Sequence, residues 1–411
     1  YCNIRASKMA IDPITQFELN RLKANNYTRQ RFKIKAVSTP PPTKTIRILY
    51  GHYSYPPFKQ PEAKVFDAVI QGGTMINSAQ VGSTIQGSSS EDYIGYSVSL
   101  SKDGSIAAIS SPGALDASEF YMTGNVKVYD YDGTSWSQKG STLYAGETTD
   151  ETLVGTSVDL SDDGLKLLVQ SGGPTSPDEG YSQSRPSYYV YESGDWVLKS
   201  RPNQVFRYGY RAQMSNDGNV IVITNPAEAF PSPGPKASIW EYDSTGDSWS
   251  KREDIALSFG GGGGLDINND GSIICVSQGY NSNNVKVFKW NGSSYDIMGA
   301  QFGSLSNMKC RINDAGDIVV VSGASGLRVY RWNGTSWVQD STTLGTSNTA
   351  AFEINPTGDI VVSSTWEVFQ YYNGDWKSTG SIDTGGQYPT TGTLSSSPSY
   401  GGHFAIGLSE I

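Results

Sequence analysis

One feature constrains this chain more than any other: a tight-turn glycine that returns at Gly104, Gly164, Gly218, Gly271, Gly316 and Gly358, each time between two short strand-like runs. The spacings are 60, 54, 53, 45 and 42 residues, so the period shortens along the chain. A second glycine recurs in phase with the first, at Gly133, Gly194, Gly246, Gly292, Gly334 and Gly374. An aromatic follows each of these: Trp136, Trp196, Trp249, Tyr295, Trp337 and Trp376. Long repeats with several short strands per copy mark architectures in which no copy can bury its faces alone.

The first copy shows the unit. Strand a is Tyr96–Ser101, a turn follows at Asp103-Gly104, and strand b is Ser105–Ser110. A loop leads to strand c at Asn125–Tyr129, and the turn Asp132-Gly133-Thr134 precedes strand d, which opens Ser135-Trp136. A tight hairpin needs a residue that tolerates positive φ, and Asp or Asn before the glycine closes the turn with its own side chain. The aromatic at the start of strand d can cover the seam between neighbouring sheets. Strands b are near-continuous apolar runs, such as Val220–Ile223 and Ile318–Val321, as expected of a strand buried on both faces.

Six copies are complete, and the chain ends supply a seventh. Gly392–Leu394 and Gly402–Leu408 read as strands a and b; Lys64–Phe66 and Gly82–Gly87 read as strands c and d. The fold class is therefore all-β: a seven-bladed β-propeller of four-stranded antiparallel blades, the last blade closed by N- and C-terminal segments, which removes open sheet edges. The propeller is expected over residues 63–411 and a basic N-terminal arm over 1–62. Within the arm, residues 12–32 suggest a short helix, Thr39–Thr43 a Pro-rich spacer, and Ile46–Tyr50 is strand-like.

Charge supports the division. Residues 1–50 hold ten Lys/Arg against Asp12 and Glu18, a balance of +8, which leaves −17 on the rest of a chain whose net charge is −9. A basic arm on an acidic body points to docking on an acidic partner, with Arg21, Lys23, Arg29, Arg31, Lys33 and Lys35 as the docking residues. A protein assembly is the expected partner, ahead of nucleic acid. Cys2, Cys275 and Cys310 form neither a disulfide framework nor a zinc pattern, and Cys275 reads as a buried thiol. There is no apolar run long enough for a transmembrane helix, and no membrane insertion is expected.

The segments Gly95–Gly104, Gly124–Tyr129 and Ser135–Gly140 (Gly-x-Ser-Val-x-Leu-Ser-x-Asp-Gly, Gly-x-Val-x-Val-Tyr and Ser-Trp-x-Gln-x-Gly) resemble the repeats loosely grouped with FG-GAP and WD-repeat propellers. The resemblance spans residues 64–411 and implies a propeller of the kind found in secreted, cell-surface and virus-encoded proteins. It implies nothing specific about activity. Ala315 and Thr357 stand where the family pattern has the turn Asp, and residues 1–62 resemble no family.

Candidate chemistry is sparse. Asp266, Asn268 and Asp270 match the opening of a calcium loop, but position 277, where that loop needs an acid, is Ser. A hairpin turn is the expected role, with no metal and no cofactor. Asp132–Trp136 has the wrong spacing for a sialidase Asp-box, and His52 and His403 are the only histidines. Asn26, Asn291 and Asn333 open glycosylation sequons, the last two also ideal turn sequences.

The sequence therefore points to a non-catalytic structural or recognition protein displayed on a larger assembly, in or on a virion or outside the cell, docked through its arm and free to bind a receptor or glycan. A secreted or cell-surface adhesion propeller is the alternative, and a carbohydrate-active hydrolase the third class. The expected contact surface is the rim bearing the long b–c loops, with Leu115, Phe120, Tyr121, Tyr181, Arg185 and Phe230.

Overall fold

The computed structural model describes residues 41–53, 62–87, 89, 92–115, 123–144, 152–172, 183–184, 186–203, 206–207, 211–225, 236–257, 264–278, 284–303, 309–323, 326–345, 351–383 and 403–411. Pro42–Ile411 forms one compact unit. It contains seven antiparallel sheets of four main strands each, so the chain is a seven-bladed β-propeller. Blade 1 comprises Val98–Leu100, Ile106–Ser111, Asn125–Tyr131 and Trp136–Gln138, in the order a-b-c-d from the axis outward. Blades 2 to 6 repeat this order, with strands a at Thr152–Leu160, Arg211–Met214, Gly264–Ile267, Cys310–Ile312 and Phe352–Ile354.

Blade 7 closes the ring by a different division of strands from the one expected. The C-terminal strand His403–Glu410 is strand a, not b. Strand b is Thr43–Tyr53, which the sequence reading assigned to the arm. Glu62–Gln71 is strand c as expected, and strand d is Thr74–Gln80, with Ile85–Gln86 adding a short rung to strand c. The closure is thus three strands from the N-terminal side and one from the C-terminal side. The propeller begins near residue 43, not 63. Lys44 and Arg47 consequently belong to the blade: Lys44 pairs with Asp359 and Glu410, and Arg47 with Asp67. Gly392–Leu394 and the docking residues Arg21, Lys23, Arg29, Arg31, Lys33 and Lys35 lie outside the described residues.

The turn glycines have two reasons to be glycine. Gly164 and Gly316 have φ of 65° and 72°, the left-handed region. A Cβ on Gly164 would also meet the Ile106 side chain at 2.5 Å, and one on Gly316 the Ile273 side chain at 2.5 Å. In blades 2 to 6 the a–b turn thus seats on the first strand-b residue of the preceding blade, and in blade 1 on Arg47 within strand b of blade 7.

A third recurring position stands three residues before that glycine: Ser101, Ser161, Ser215, Asn268, Asn313 and Asn355, all buried. Its side-chain oxygen accepts the first strand-b N–H, from Ile106, Lys166, Val220, Ile273, Ile318 and Ile360 respectively, at 2.7–3.0 Å. A buried polar side chain here satisfies a backbone donor that would otherwise be stranded at the turn.

The strand-d aromatics close the seams. The indole N–H of Trp136, Trp196, Trp249 and Trp337 donates to the carbonyl of Val81, Lys139, Ser200 and Met298, each on the preceding blade. Tyr295 donates instead to the Gly271 carbonyl of its own blade, and Trp376 to Asp340. The central residues of strands b are buried, from Ile221 to Val320, and alternate faces feed the two neighbouring interfaces.

Candidate functional site

The inner strands surround an axial channel of about 700 Å³. Alternation along strand a decides what faces it. Val158, Met214, Leu265, Ile312 and Phe352 pack between blades and are buried. The residues between them line the channel in tiers.

Five residues before the turn glycine, an inner tier holds Ser99, Asp159, Gln213, Asp266, Arg311 and Glu353. Two residues nearer the strand start, an outer tier holds Ser97, Ser157, Arg211, Gly264, Lys309 and Ala351.

The inner tier solves an edge problem. Strand a is an edge strand, and its outward N–H groups lack a sheet partner. Ser99 accepts the N–H of Leu160 at 3.0 Å, Asp159 that of Met214 at 2.8 Å, and Asp266 that of Ile312 at 2.8 Å. Blades 1, 2 and 4 thereby satisfy the strand a of the blade that follows each of them.

Gln213 also donates to Asp159 at 3.1 Å. Burial nevertheless outweighs these bonds, pushing the Asp159 carboxyl up to about 7 and raising that of Asp266.

Arg311 and Glu353, on blades 5 and 6, form an ion pair at 2.7 Å. Their side chains are ringed by protein, yet keep 29% and 22% of their surface on the channel. Enclosure pushes Glu353 up to about 7 despite the guanidinium beside it, and Arg311 stays charged.

In the outer tier, burial and then the charges of Arg211 and Arg311 push Lys309 down to about 8. Arg211 keeps an exposed side chain, and the protein packed around it and then the charge of Arg311 lower its pKa. Clustered titratable groups with displaced pKa values in a concave site mark a candidate for ligand contact.

The two ends of the channel differ. At the a–b turn end, Lys102 spans the axis to Asp162 at 2.9 Å and Asp314 at 3.1 Å, and Asn216 donates to Asp314 at 2.8 Å. The turns also bond to one another: the N–H of Lys102 to the Asp162 carbonyl, Asp162 to Asn216, and Asp314 to Pro356. The other end has Tyr96, Thr156, Arg211, Gly264, Lys309 and Ala351 around it. This is the rim from which the b–c loops leave.

Of the expected contact residues, Leu115 is 44% exposed at the start of the blade 1 loop. Phe120, Tyr121, Tyr181, Arg185 and Phe230 lie outside the described residues. Gln183–Ser184, from the blade 2 loop, pairs with Phe206–Arg207 of the crossover into blade 3, so this rim carries a small ribbon of its own.

The calcium-like residues do not converge. Asp266 faces the channel, the Asn268 side chain serves the Ile273 N–H, and Asp270 caps the Ser272 N–H at 3.0 Å. Apart from Asp266, read as a turn residue, the axial charges carry no motif in the sequence, although the columns five and seven residues before the turn glycine contain them.

No protein-family model and no curated protein matches the chain. Solved structures do. A Bacteroides uniformis protein provisionally assigned as a 6-phosphogluconolactonase is similar with TM-score 0.55 at 12% identity, covering 82% of this chain and 97% of its own. A periplasmic gluconolactonase of Pseudomonas aeruginosa is similar with TM-score 0.53 at 14% identity, covering 82% and 96%. A Lactobacillus plantarum protein is similar with TM-score 0.53 at 13% identity, covering 89% and 99%. Likeness at these identities is a likeness of fold. Of the expected resemblance to FG-GAP and WD-repeat propellers, the structure supports the seven-bladed propeller alone; the similar solved structures described as lactonases are not of those repeat groups.

Proposed function

We propose that this protein is a recognition propeller without catalytic turnover, displayed on a larger assembly such as a virion or on the outside of a cell, and docked through its basic N-terminal segment. Its ligand, a receptor or glycan, is engaged at the rim where the channel mouth and the long b–c loops coincide. The observation that carries this reading is the asymmetry of the channel. Lys102, Asp162, Asp314 and Asn216 tie its turn end together, while its charged outer tier faces the loop rim. The inner carboxylates are engaged in holding the ring, which suits a fixed binding wall better than proton transfer.

A second reading is ester hydrolysis in the channel. The likeness to proteins described as lactonases favours it, as do the raised carboxyls of Asp159 and Glu353. One experiment separates the two. The full chain is offered an immobilised glycan panel and, in solution, sugar-acid lactones. Retention on glycans with lactones recovered intact supports recognition. Lactone turnover that disappears in Glu353→Gln establishes the hydrolase and overturns the proposal.

A further inference from the structure

We infer that Asn373, in the c–d turn of blade 6, is a site of spontaneous covalent modification: deamidation to aspartate and isoaspartate in the folded protein, ahead of the other two asparagines that precede glycine.

The chain has three Asn-Gly pairs, Asn291-Gly292, Asn333-Gly334 and Asn373-Gly374. Each lies in the c–d turn of its blade and is exposed to solvent. The chemistry open to all three is the same. The nitrogen of the following glycine attacks Cγ of the asparagine, the Cγ–Nδ2 bond breaks, and ammonia leaves. Water then opens the resulting succinimide at either carbonyl. One opening gives aspartate; the other gives isoaspartate, in which the main chain runs through Cγ. Glycine permits the approach because no side chain shields its nitrogen. What differs among the three is the freedom of the asparagine amide.

In blade 4, Trp290 pairs with Tyr295, and in blade 5, Trp332 pairs with Trp337, so each loop holds four residues. Asn291 accepts the N–H groups of Ser293 and Ser294 at 2.9 Å through Oδ1, and its Nδ2 donates to Asp296 at 2.7 Å. Asn333 accepts the N–H groups of Thr335 and Ser336 at 2.9 Å in the same way. Each amide therefore closes its own turn, and Cγ is held there.

Blade 6 turns differently. Tyr372 pairs with Asp375, which leaves a two-residue loop with φ of 55° at Asn373 and 86° at Gly374. Such a turn asks for backbone tolerance of the left-handed region and not for a side-chain bond. Blade 2 makes the same loop with Ser193 and Gly194, at φ of 56° and 91°, between Glu192 and Asp195. Among the described residues none hydrogen-bonds the Asn373 amide. The space beside Gly374 is open out to 4 Å. Cγ of Asn373 is thus free to reach the Gly374 nitrogen.

The product bears on the ring. Asp375 accepts the Thr342 hydroxyl at 2.6 Å, and the Trp376 indole donates to Asp340 at 2.7 Å, which ties blade 6 to the end of blade 5. Isoaspartate lengthens the main chain within the tight loop and so pulls against the Tyr372–Asp375 pairing that places both residues.

The full chain is incubated folded at pH 8 and 37 °C, with the same chain unfolded in denaturant as the reference. Peptide mapping by mass spectrometry reads conversion at each asparagine, and isoaspartyl methyltransferase labelling identifies the isoaspartate. In the unfolded chain the three sites should convert at comparable rates, since each precedes glycine. In the folded protein Asn373 should lead, with Asn291 and Asn333 slower by about tenfold or more, because their side-chain bonds must break before Cγ can be attacked. Asn373→Ser, which copies the blade 2 turn, should remove most of the isoaspartate and leave the unfolding midpoint of fresh protein unchanged. Conversion of Asn291 or Asn333 that keeps pace with Asn373 in the folded protein overturns the inference. So does a folded Asn373 that stays intact over the time in which the unfolded chain reacts.

Discussion

Lys102 of blade 1 and Asp314 of blade 5 stand 212 residues apart in sequence and meet at 3.1 Å across the turn end of the channel. Only a closed ring brings these two turns together. The same lysine reaches Asp162 on blade 2, so one side chain ties three blades at the end opposite the long loops.

Ring closure rests on the C-terminal strand. His403–Glu410 pairs with Thr43–Tyr53 over eight residues and buries Ile406 and Ser409. Truncation before His403 would strip the inner strand from blade 7 and expose Tyr50, Ile48 and the neighbouring strand a of blade 1. A loss on the order of 5 kcal/mol or more is expected from the buried apolar area alone. Denaturant unfolding of the truncated chain measures it, and a midpoint equal to that of the full chain would refute strand-exchange closure.

The seam tryptophans should be separable into packing and hydrogen bonding. Trp196 is 6% exposed and donates to the Lys139 carbonyl at 2.9 Å. Trp196→Phe removes the donor and should cost about 1 kcal/mol; Trp196→Ala also opens a cavity and should cost about 3–5 kcal/mol. Equal losses in chemical denaturation would mean that the indole N–H dominates the seam.

The a–b turns should tolerate no side chain. Gly316→Ala adds a Cβ 2.5 Å from the Ile273 side chain and places alanine at a φ of 72°. Backbone strain of about 1–2 kcal/mol is expected, with a further loss from the clash. Gly334→Ala has a φ of 96° but open space around it, so it should cost the strain alone. The difference between the two unfolding free energies reads the blade-to-blade contact.

Protonation of the inner tier should leave a pH signature. Asp159 and Glu353 have folded values of about 7, above their ordinary 3.8 and 4.5. Between about pH 4 and 7 the folded state therefore binds more protons than the unfolded state, and stability contributed by these groups falls as pH rises through that window. Channel water screens them, so the change is on the order of 1–2 kcal/mol per group. Asp159→Asn should flatten the stability profile between pH 4 and 7; an unchanged slope would mean that Asp159 titrates normally.

The turn glycines, the apolar b strands and the strand-d aromatics made the propeller legible, because each repeats in register and has its own steric or packing cause. The closing blade was harder to divide. Its strand b carries Arg47 where blade 1 has Ile106, which breaks the apolar run. The charge is tolerated because Arg47 bonds Asp67 at 2.7 Å and lies over the Tyr131 ring. Its strand d begins at Thr74 and lacks the aromatic mark, so Gly82–Gly87, which follows strand d, stood in for it. The axial site was hidden for another reason. Within one copy, Asp159 or Arg311 is an ordinary polar residue in an alternating strand. Only superposing all copies on the turn glycine shows that these residues meet at one axis.

The claim that the loop rim is the contact face is tested most directly by paired substitutions on the two rims. Leu115, Phe120, Tyr121, Tyr181 and Phe230 are replaced by Ser in one variant, and Thr134, Thr335 and Asn373 by Ala in another, with retention on the glycan panel as the readout for both. Loss of retention confined to the first variant is the predicted result; loss confined to the second would place recognition on the turn rim and contradict it.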